Sequence, residues 1–396
     1  MRVIRFGVVL PLAVAFAFAA AGGAAASPPG PPGSPVVGHV YVDDNTAPAN
    51  GVGGFARHAD GSLTALSGSP FAVGGAGGGT PNASQGSLQL SSDGRFLLAV
   101  DAGSNQISVL RIAPDGSLRP VAGSPFSSNG VDPVSIAVHD DLVYVANAGP
   151  GGSVGDTNYT GFRLAPNGRL DAIPDSTYVL PGDSKPGQVL FNRDGKKLAG
   201  TRIATSEIDS FIVGRDGRLT PAPGSPYSAQ AFSPAQGWGQ LGSEFSPTQP
   251  DQLFVSDAHT AGGSAAFPGL VSSFRDAPDG TLTPVGAPVA NDGGAACWIE
   301  ISQDGRFLFV VNTASASVSS YSIGAGGTLT FLQSTAAGEI GAGAEDARLA
   351  PDGKTLWVVE SGTDGVTGFS VDGGTLTPLA SVAGPTGARP SGIVVN

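Results

Sequence analysis

Apolar and polar positions alternate along this chain in short runs that repeat. Between Gln85 and Phe126, Leu88 and Leu90 alternate ahead of Ser92-Asp93-Gly94-Arg95, and Phe96, Leu98 and Val100 alternate after it. That period of two is the signature of a half-buried β-hairpin. Ile107, Val109 and Ile112 predict a third strand, and Leu118 and Val121 a fourth. Gly123-Ser124-Pro125-Phe126 ends the unit, because proline cannot donate to a ladder. The Asp-Gly steps at Asp93 and Asp115 reverse the chain, glycine accepting the positive φ of a two-residue turn. One such sheet cannot cover both its faces, so copies must stack.

The copies are countable. Asp60-Gly61, Asp115-Gly116, Asn167-Gly168, Asp216-Gly217 and Asp279-Gly280 recur at intervals of about 50 residues, and Gly326-Gly327 and Asp372-Gly373 continue the series, a spacing typical of propeller blades. The first turn recurs at Asp93-Gly94, Asp194-Gly195, Asp304-Gly305 and Asp352-Gly353, replaced in the third unit by Asp140-Asp141 and in the fifth by Pro247 to Asp251. His39 to Val42 resembles a second strand with no first strand before it, whereas Gly392 to Asn396 begins like a first strand and stops. These ends predict an all-β, seven-bladed β-propeller of four-stranded antiparallel blades, closed by the C-terminal strand joining blade one. Closure removes the exposed edges that an open stack would leave.

Composition adds compartment and excludes one class of partner. Arg2 and Arg5, an apolar run from Phe6 to Ala21 and Ala24-Ala25-Ala26 have the order of a secretory signal, too short to span a membrane. Residues 1–26 are therefore expected to be a signal peptide, 27–35 a Pro-rich leader and 36–396 a single propeller, with a secreted, extracytoplasmic destination. The single Cys297 cannot form a disulfide within the chain, so the sheets must hold the fold. A net charge of −12 excludes nucleic acid, which requires clustered Lys and Arg.

Strand order places both Asp-Gly hairpins of a blade on one face, leaving irregular loops on the other, the face where recognition is expected. Four of these loops are long: Ala72 to Gln85, Asn147 to Gly161, Tyr227 to Gln240 and Asp257 to Leu270. They predict a lopsided pocket bearing Tyr159, Phe232, Trp238 and His259, for a small-molecule or carbohydrate-like ligand bound by a monomer; the same aromatics also suit packing beneath their own loops. Aligning the ends of the second strands collects Asp44, Asp101, Asn147, Arg202, Asp257, Asn312 and Glu360. If they ring the channel mouth, Asp101, Asp257 and Glu360 could hold Ca²⁺ or another divalent cation, or supply a general base beside Arg202, with Asp44, Asn147 and Asn312 as binding groups. Asp and Asn at such positions equally well cap the following turn. Gly151 to Gly155 matches a nucleophile elbow without the helix it needs. The four histidines lack paired zinc spacing, and Asn82-Ala83-Ser84 and Asn158-Tyr159-Thr160 fit glycosylation sequons.

SSDGRFLLAVDAGSNQISVLRIAPDGSL, SQDGRFLFVVNTASASVSSYSIGAGGTL and APDGKTLWVVESGTDGVTGFSVDGGTL resemble the repeats of the lactonase-like seven-bladed propellers, the family of bacterial 6-phosphogluconolactonase and carboxymuconate cyclase. The Trp-Asp steps of WD40 repeats are absent, and Gly-His occurs once, at Gly38-His39, rather than in every unit. The resemblance implies a lactonase-type hydrolase, with the non-catalytic binding or cell-surface propeller as the other class. The 6-phosphogluconolactonases carry a Gly-Pro-Arg-His run whose matching positions here are Ala295, Ala296, Cys297 and Trp298. Loss of that Arg and His points to an unphosphorylated lactone or similar cyclic ester. Trp298 is expected at the channel or a blade interface, and Cys297 as a buried small hydrophobe.

Overall fold

The computed structural model describes residues 33–80, 83–149, 156–229, 238–259, 268–338, 343–380, 382–384 and 389–396. The expected signal peptide and most of the Pro-rich leader lie outside them. Each blade is an antiparallel meander. Blade two, for example, runs Leu88–Leu90, Phe96–Asp101, Gln106–Ile112 and Leu118–Pro120 from the axis outwards. The inner strands are Gly392–Val395, Leu88–Leu90, Pro133–His139, Pro186–Phe191, Trp238–Phe245, Ala296–Ile301 and Ala344–Leu349, and each touches the next around a closed ring.

Closure is made by the two chain ends. Val36–Asp43 pairs with Gly392–Val395, Val40 opposite Val395 and Asp43 opposite Gly392. Ile393 is fully buried in a cluster with Val40, Val42, Trp357 and Val366. The C-terminal strand thus supplies the inner strand of blade one, and adjacent blades enclose apolar clusters of this kind around the ring.

Two local features differ from the sequence expectation. The first turns are longer than two residues: Ser91 N–H donates to Phe96 O at 2.9 Å, and Gly94 N–H to Ser91 O at 2.8 Å. Only glycine in this turn has positive φ, 68° at Gly94, so Asp93 keeps ordinary backbone geometry and its carboxylate accepts from Arg95 N–H at 3.0 Å. Most blades also carry a short fifth segment. Phe71–Ala72, Phe126–Ser127, Tyr178–Val179 and Tyr227–Ser228 pair back onto the third strands. The chain is kinked ahead of each, and there Ser69, Ser124, Ser176 and Ser225 hydroxyls accept the strand's N–H in place of a carbonyl.

Candidate active site at the axial channel

In five blades the second strand ends in the polar residue identified from sequence. In blade one it ends a residue earlier, at Asp43, so Asp44 falls just past the strand, and in blade five it runs two residues beyond Asp257 to His259, but all seven side chains are buried. They do not meet. Asp101 accepts from Ser108 Oγ at 2.6 Å, Asp257 from Ser272 Oγ at 2.7 Å and Gln240 Nε2 at 2.8 Å, and Glu360 from Thr363 Oγ1 at 2.8 Å and from Thr367. Asn312 donates to Ser319 Oγ at 2.8 Å, and Asn147 to Asn158 Oδ1 at 2.9 Å. Arg202 forms a fork on Asp209 at 2.7 and 2.5 Å and reaches Glu207 at 2.8 Å. Asp44 accepts from Gly53 N–H at 3.2 Å.

These bonds run mainly to the third strand of the same blade and tie the two strands together beyond their turn. Glycines of the incoming loops pack directly on these groups: a Cβ on Gly75, Gly130 or Gly293 would lie within 2.4 Å of Asp101, Asn147 or Asn312. The ring is thus covered, and Asp101, Asp257 and Glu360 form no joint metal site. Among the described residues no three His, Cys, Asp or Glu side chains converge in a way that could hold a metal ion.

The aromatic wall is placed differently as well. Tyr159 is fully buried, its ring edge-on to Phe211 and its hydroxyl donating to Asp209 Oδ2 at 3.0 Å; it packs beneath its loop because its strand turns it onto blade four. Trp238 and His259 are paired across the first two strands of blade five. Phe232, Gly151 to Gly155 and Asn82 lie outside the described residues. Asn158, the other sequon residue, is 1% exposed, unsuited to a bulky glycan.

Residues the sequence reading passed over occupy the axis. The segment Ser84-Gln85-Gly86, entering blade two, crosses it. Gln85 N–H donates to Gly187 O at 3.1 Å, and Gly86 O accepts from Ile136 N–H at 2.9 Å. Gln85 Nε2 donates to Ile299 O at 2.7 Å while Oε1 accepts from Ile299 N–H at 3.0 Å. Trp298 Nε1 donates to Ser84 O at 2.6 Å, which sets Trp298 at the channel wall. Blades three, four and six are thereby tied to one peptide, whose only local signal was glutamine beside glycine.

Above this crossing, at the start of the inner strand of blade seven, lies Glu345. The pairing of that strand skips from Ala344 opposite Glu360 to Ala347 opposite Val358, so Glu345 and Asp346 bulge out of the ladder. A bulge re-aims side chains next to sites. Glu345 Oε1 accepts from Ser361 Oγ at 2.6 Å, while Oε2 is buried without a hydrogen-bond partner. Its carboxyl is pushed up to about 8, chiefly by burial and in part by Asp346, against the lowering effect of the Ser361 bond and the Arg389 charge. Asp346 is pushed up to about 7 by burial and accepts from Gly86 N–H at 3.4 Å. Cys297 sits at the equivalent bulge of blade six, between Ala296 opposite Asn312 and Trp298 opposite Val311, its thiol pushed up to about 12 by burial. Below the crossing, Arg348 pairs with Glu300 at 2.9 Å.

Comparison with known proteins agrees with this architecture. Residues 248–394 match the model of the family described as Lactonase, 7-bladed beta-propeller. A candidate 6-phosphogluconolactonase from Bacteroides fragilis superposes with a TM-score of 0.70 at 20% identity, covering 93% of this chain and 100% of that one. The periplasmic gluconolactonase of Pseudomonas aeruginosa superposes with a TM-score of 0.69 at 18% identity, covering 90% and 98%. No curated protein sequence matches the chain. Fold and channel define a seven-bladed propeller closed by its own C-terminus. Residues 248–394 are similar to the lactonase-like propellers, and the neighbours share the fold of the whole chain.

Proposed function

We propose that this protein is an exported lactonase that opens an unphosphorylated lactone at the irregular-face mouth of the axial channel. The observation that carries the reading is Glu345, a carboxyl whose proton is held near neutrality by burial, with one oxygen satisfied by Ser361 and the other unpaired. A general base works best with a pKa near the operating pH. Ionised Glu345 takes a proton from water as the oxygen attacks the lactone carbonyl carbon. Arg389, whose charge already acts on Glu345, balances the developing oxyanion. When the ring C–O bond breaks, Glu345 returns the proton to the leaving alkoxide, giving the hydroxy acid.

Substrate class follows from what surrounds this carboxyl. Cys297 and Trp298 stand where the resembled family carries Arg and His, and Cys297 is neutral, so the wall lacks the paired cations a phosphate needs. The Pseudomonas neighbour is itself a periplasmic gluconolactonase, in keeping with export and a sugar lactone. A non-catalytic binding propeller using the same mouth is the second reading, and the 4% exposure of Glu345 favours it. Assay of δ-gluconolactone and its 6-phosphate with wild type and Glu345→Gln separates the two. Turnover of the unphosphorylated lactone, lost in the variant, is the expected result. Failure of wild type to accelerate hydrolysis of any of a panel of sugar and aliphatic lactones would replace the enzyme reading by the binding one.

A further inference from the structure

On the Asp-Gly face, a groove of about 880 Å³ opens between blades four and five, within the size range of small-ligand pockets. Ile212, Val213, Pro250, Ala277 and Pro278 give it apolar walls, and Lys196, Arg215 and Arg275 stand along it. The corresponding groove between blades two and three measures about 490 Å³. Two departures from the repeat distinguish them. Where blade two has Phe96, stacked under Arg111 at 4.7 Å, blade four has Lys197, whose ammonium is drawn onto Asp276 O at 3.0 Å and Ala277 O at 2.6 Å. Where the second turns of blades two, three and five carry Pro114, Pro166 and Pro278, blade four carries Arg215.

The charges of this groove are unevenly committed. Lys196 pairs with Asp194 at 2.9 Å and Lys197 with Asp276 at 3.0 Å. Arg163, which occupies the place of Arg275 in the blade two and three groove, pairs with Asp141 at 2.8 Å. Arg215 and Arg275 are both exposed, and neither side chain has an ion pair or hydrogen bond among the described residues. Against one lining carboxylate without an ion pair among the described residues, Asp251, stand two uncommitted guanidiniums beside an apolar trough. On a chain of net charge −12 this local excess of positive charge selects an anion with a hydrocarbon body.

We propose that this groove binds a small amphipathic anion, an aliphatic or aromatic carboxylate, its carboxylate held by Arg215 and Arg275 and its apolar body along Ile212, Val213, Pro250 and Pro278. The site lies on the opposite face from Glu345 and is independent of the lactonase reading. Calorimetric titration of octanoate and of neutral octanamide into the full chain tests it. The expected result is saturable single-site binding of octanoate, weakened about tenfold or more in the Arg215→Ala, Arg275→Ala double variant and weakened likewise for octanamide. Arg163→Ala, in the other groove, is expected to bind octanoate as wild type does. Absence of saturable octanoate heat, a double variant binding as wild type with an unchanged melting midpoint, or octanamide binding as tightly as octanoate would overturn the proposal.

Discussion

Two sets of buried carboxyl groups share one chemistry and differ in what completes them. Asp101 and Asp257, on second strands, are raised by burial to about 6 and about 7, and both oxygens of each accept hydrogen bonds from neighbouring hydroxyl or amide groups. Glu345, at the bulge of an inner strand, is raised to about 8 yet has an oxygen with no partner. A displaced pKa therefore marks both sets and separates neither. The unpaired oxygen does separate them, because a buried polar atom left unsatisfied costs free energy that structural groups normally avoid.

The largest perturbation removes the ring on which both sets depend. Deleting residues 392–396 strips Ile393 and Val395 from the blade one and seven interface and Val394 from the blade one and two interface, where they are at most 6% exposed. Three buried aliphatic side chains are worth roughly 5 to 9 kcal/mol, and the deletion also takes the strand that follows Ser391, the donor to Asp43 at 3.1 Å. The melting midpoint is expected to fall by about 10 °C or more. An unchanged midpoint by circular dichroism would show that the closure contributes nothing.

Glu345→Gln probes the site set alone. Loss of general base catalysis is expected to lower kcat/KM for the lactone by about 10² to 10⁴, with a melting midpoint near that of wild type at neutral pH, where Glu345 is already largely protonated, and above it once the pH exceeds about 8. Steady-state kinetics with a parallel thermal melt checks both. A variant retaining full activity would return Glu345 to the structural set.

How far this contrast was readable from sequence depends on where each residue sits in the repeat. Blade number, closure and the polar strand ends were legible because Asp-Gly turns recur at a regular spacing and the strands between them alternate. The partners that satisfy the ring were not: the sequence suggested capping of the following turn, whereas Ser108, Ser319 and Thr367 on the third strands, each seven residues beyond Asp101, Asn312 and Glu360, supply the bonds. Glu345 was not, because it follows Gly341-Ala342-Gly343-Ala344, where no periodicity announces a strand and only pairing reveals the bulge. Gln85 escaped for a similar reason, its role arising from contacts with Ile299, far along the chain.

The two sets together set the pH response. Asp43, Asp44, Glu244, Asp257, Glu345 and Asp346 all have folded pKa values raised by burial, to between about 7 and about 8. In the unfolded chain these groups ionise near their ordinary values of about 4. Between these limits the folded state holds more protons, so stability falls as pH rises through the window and is greatest in mild acid. Thermal midpoints are expected to be higher at about pH 5 than at about pH 8.5, by differential scanning calorimetry. A midpoint rising with pH over this range would mean that these carboxyls are better solvated than their burial indicates.

The smallest effect sharpens the comparison most, because it asks whether a ring carboxylate can be dispensed with altogether. Asp101 Oδ1 accepts from Asn50 Nδ2 at 3.1 Å and Oδ2 from Ser108 Oγ at 2.6 Å. Blade six already carries the substituted form of this pair, with Asn312 accepting from Asn291 Nδ2 at 2.9 Å and donating to Ser319 Oγ at 2.8 Å. In Asp101→Asn the amide oxygen keeps the bond from Asn50, and the new Nδ2 donates to Ser108 Oγ, whose proton turns to Val73 O, already within 3.1 Å. Every polar atom stays partnered. The variant is expected to change stability by less than about 1 kcal/mol in urea denaturation near neutral pH, to gain on wild type as the pH is raised above about 7, where the carboxylate it replaces would be charged, and to leave lactone kinetics unaltered. A loss of activity at unchanged stability would place Asp101 in the same functional set as Glu345 and dissolve the distinction between them.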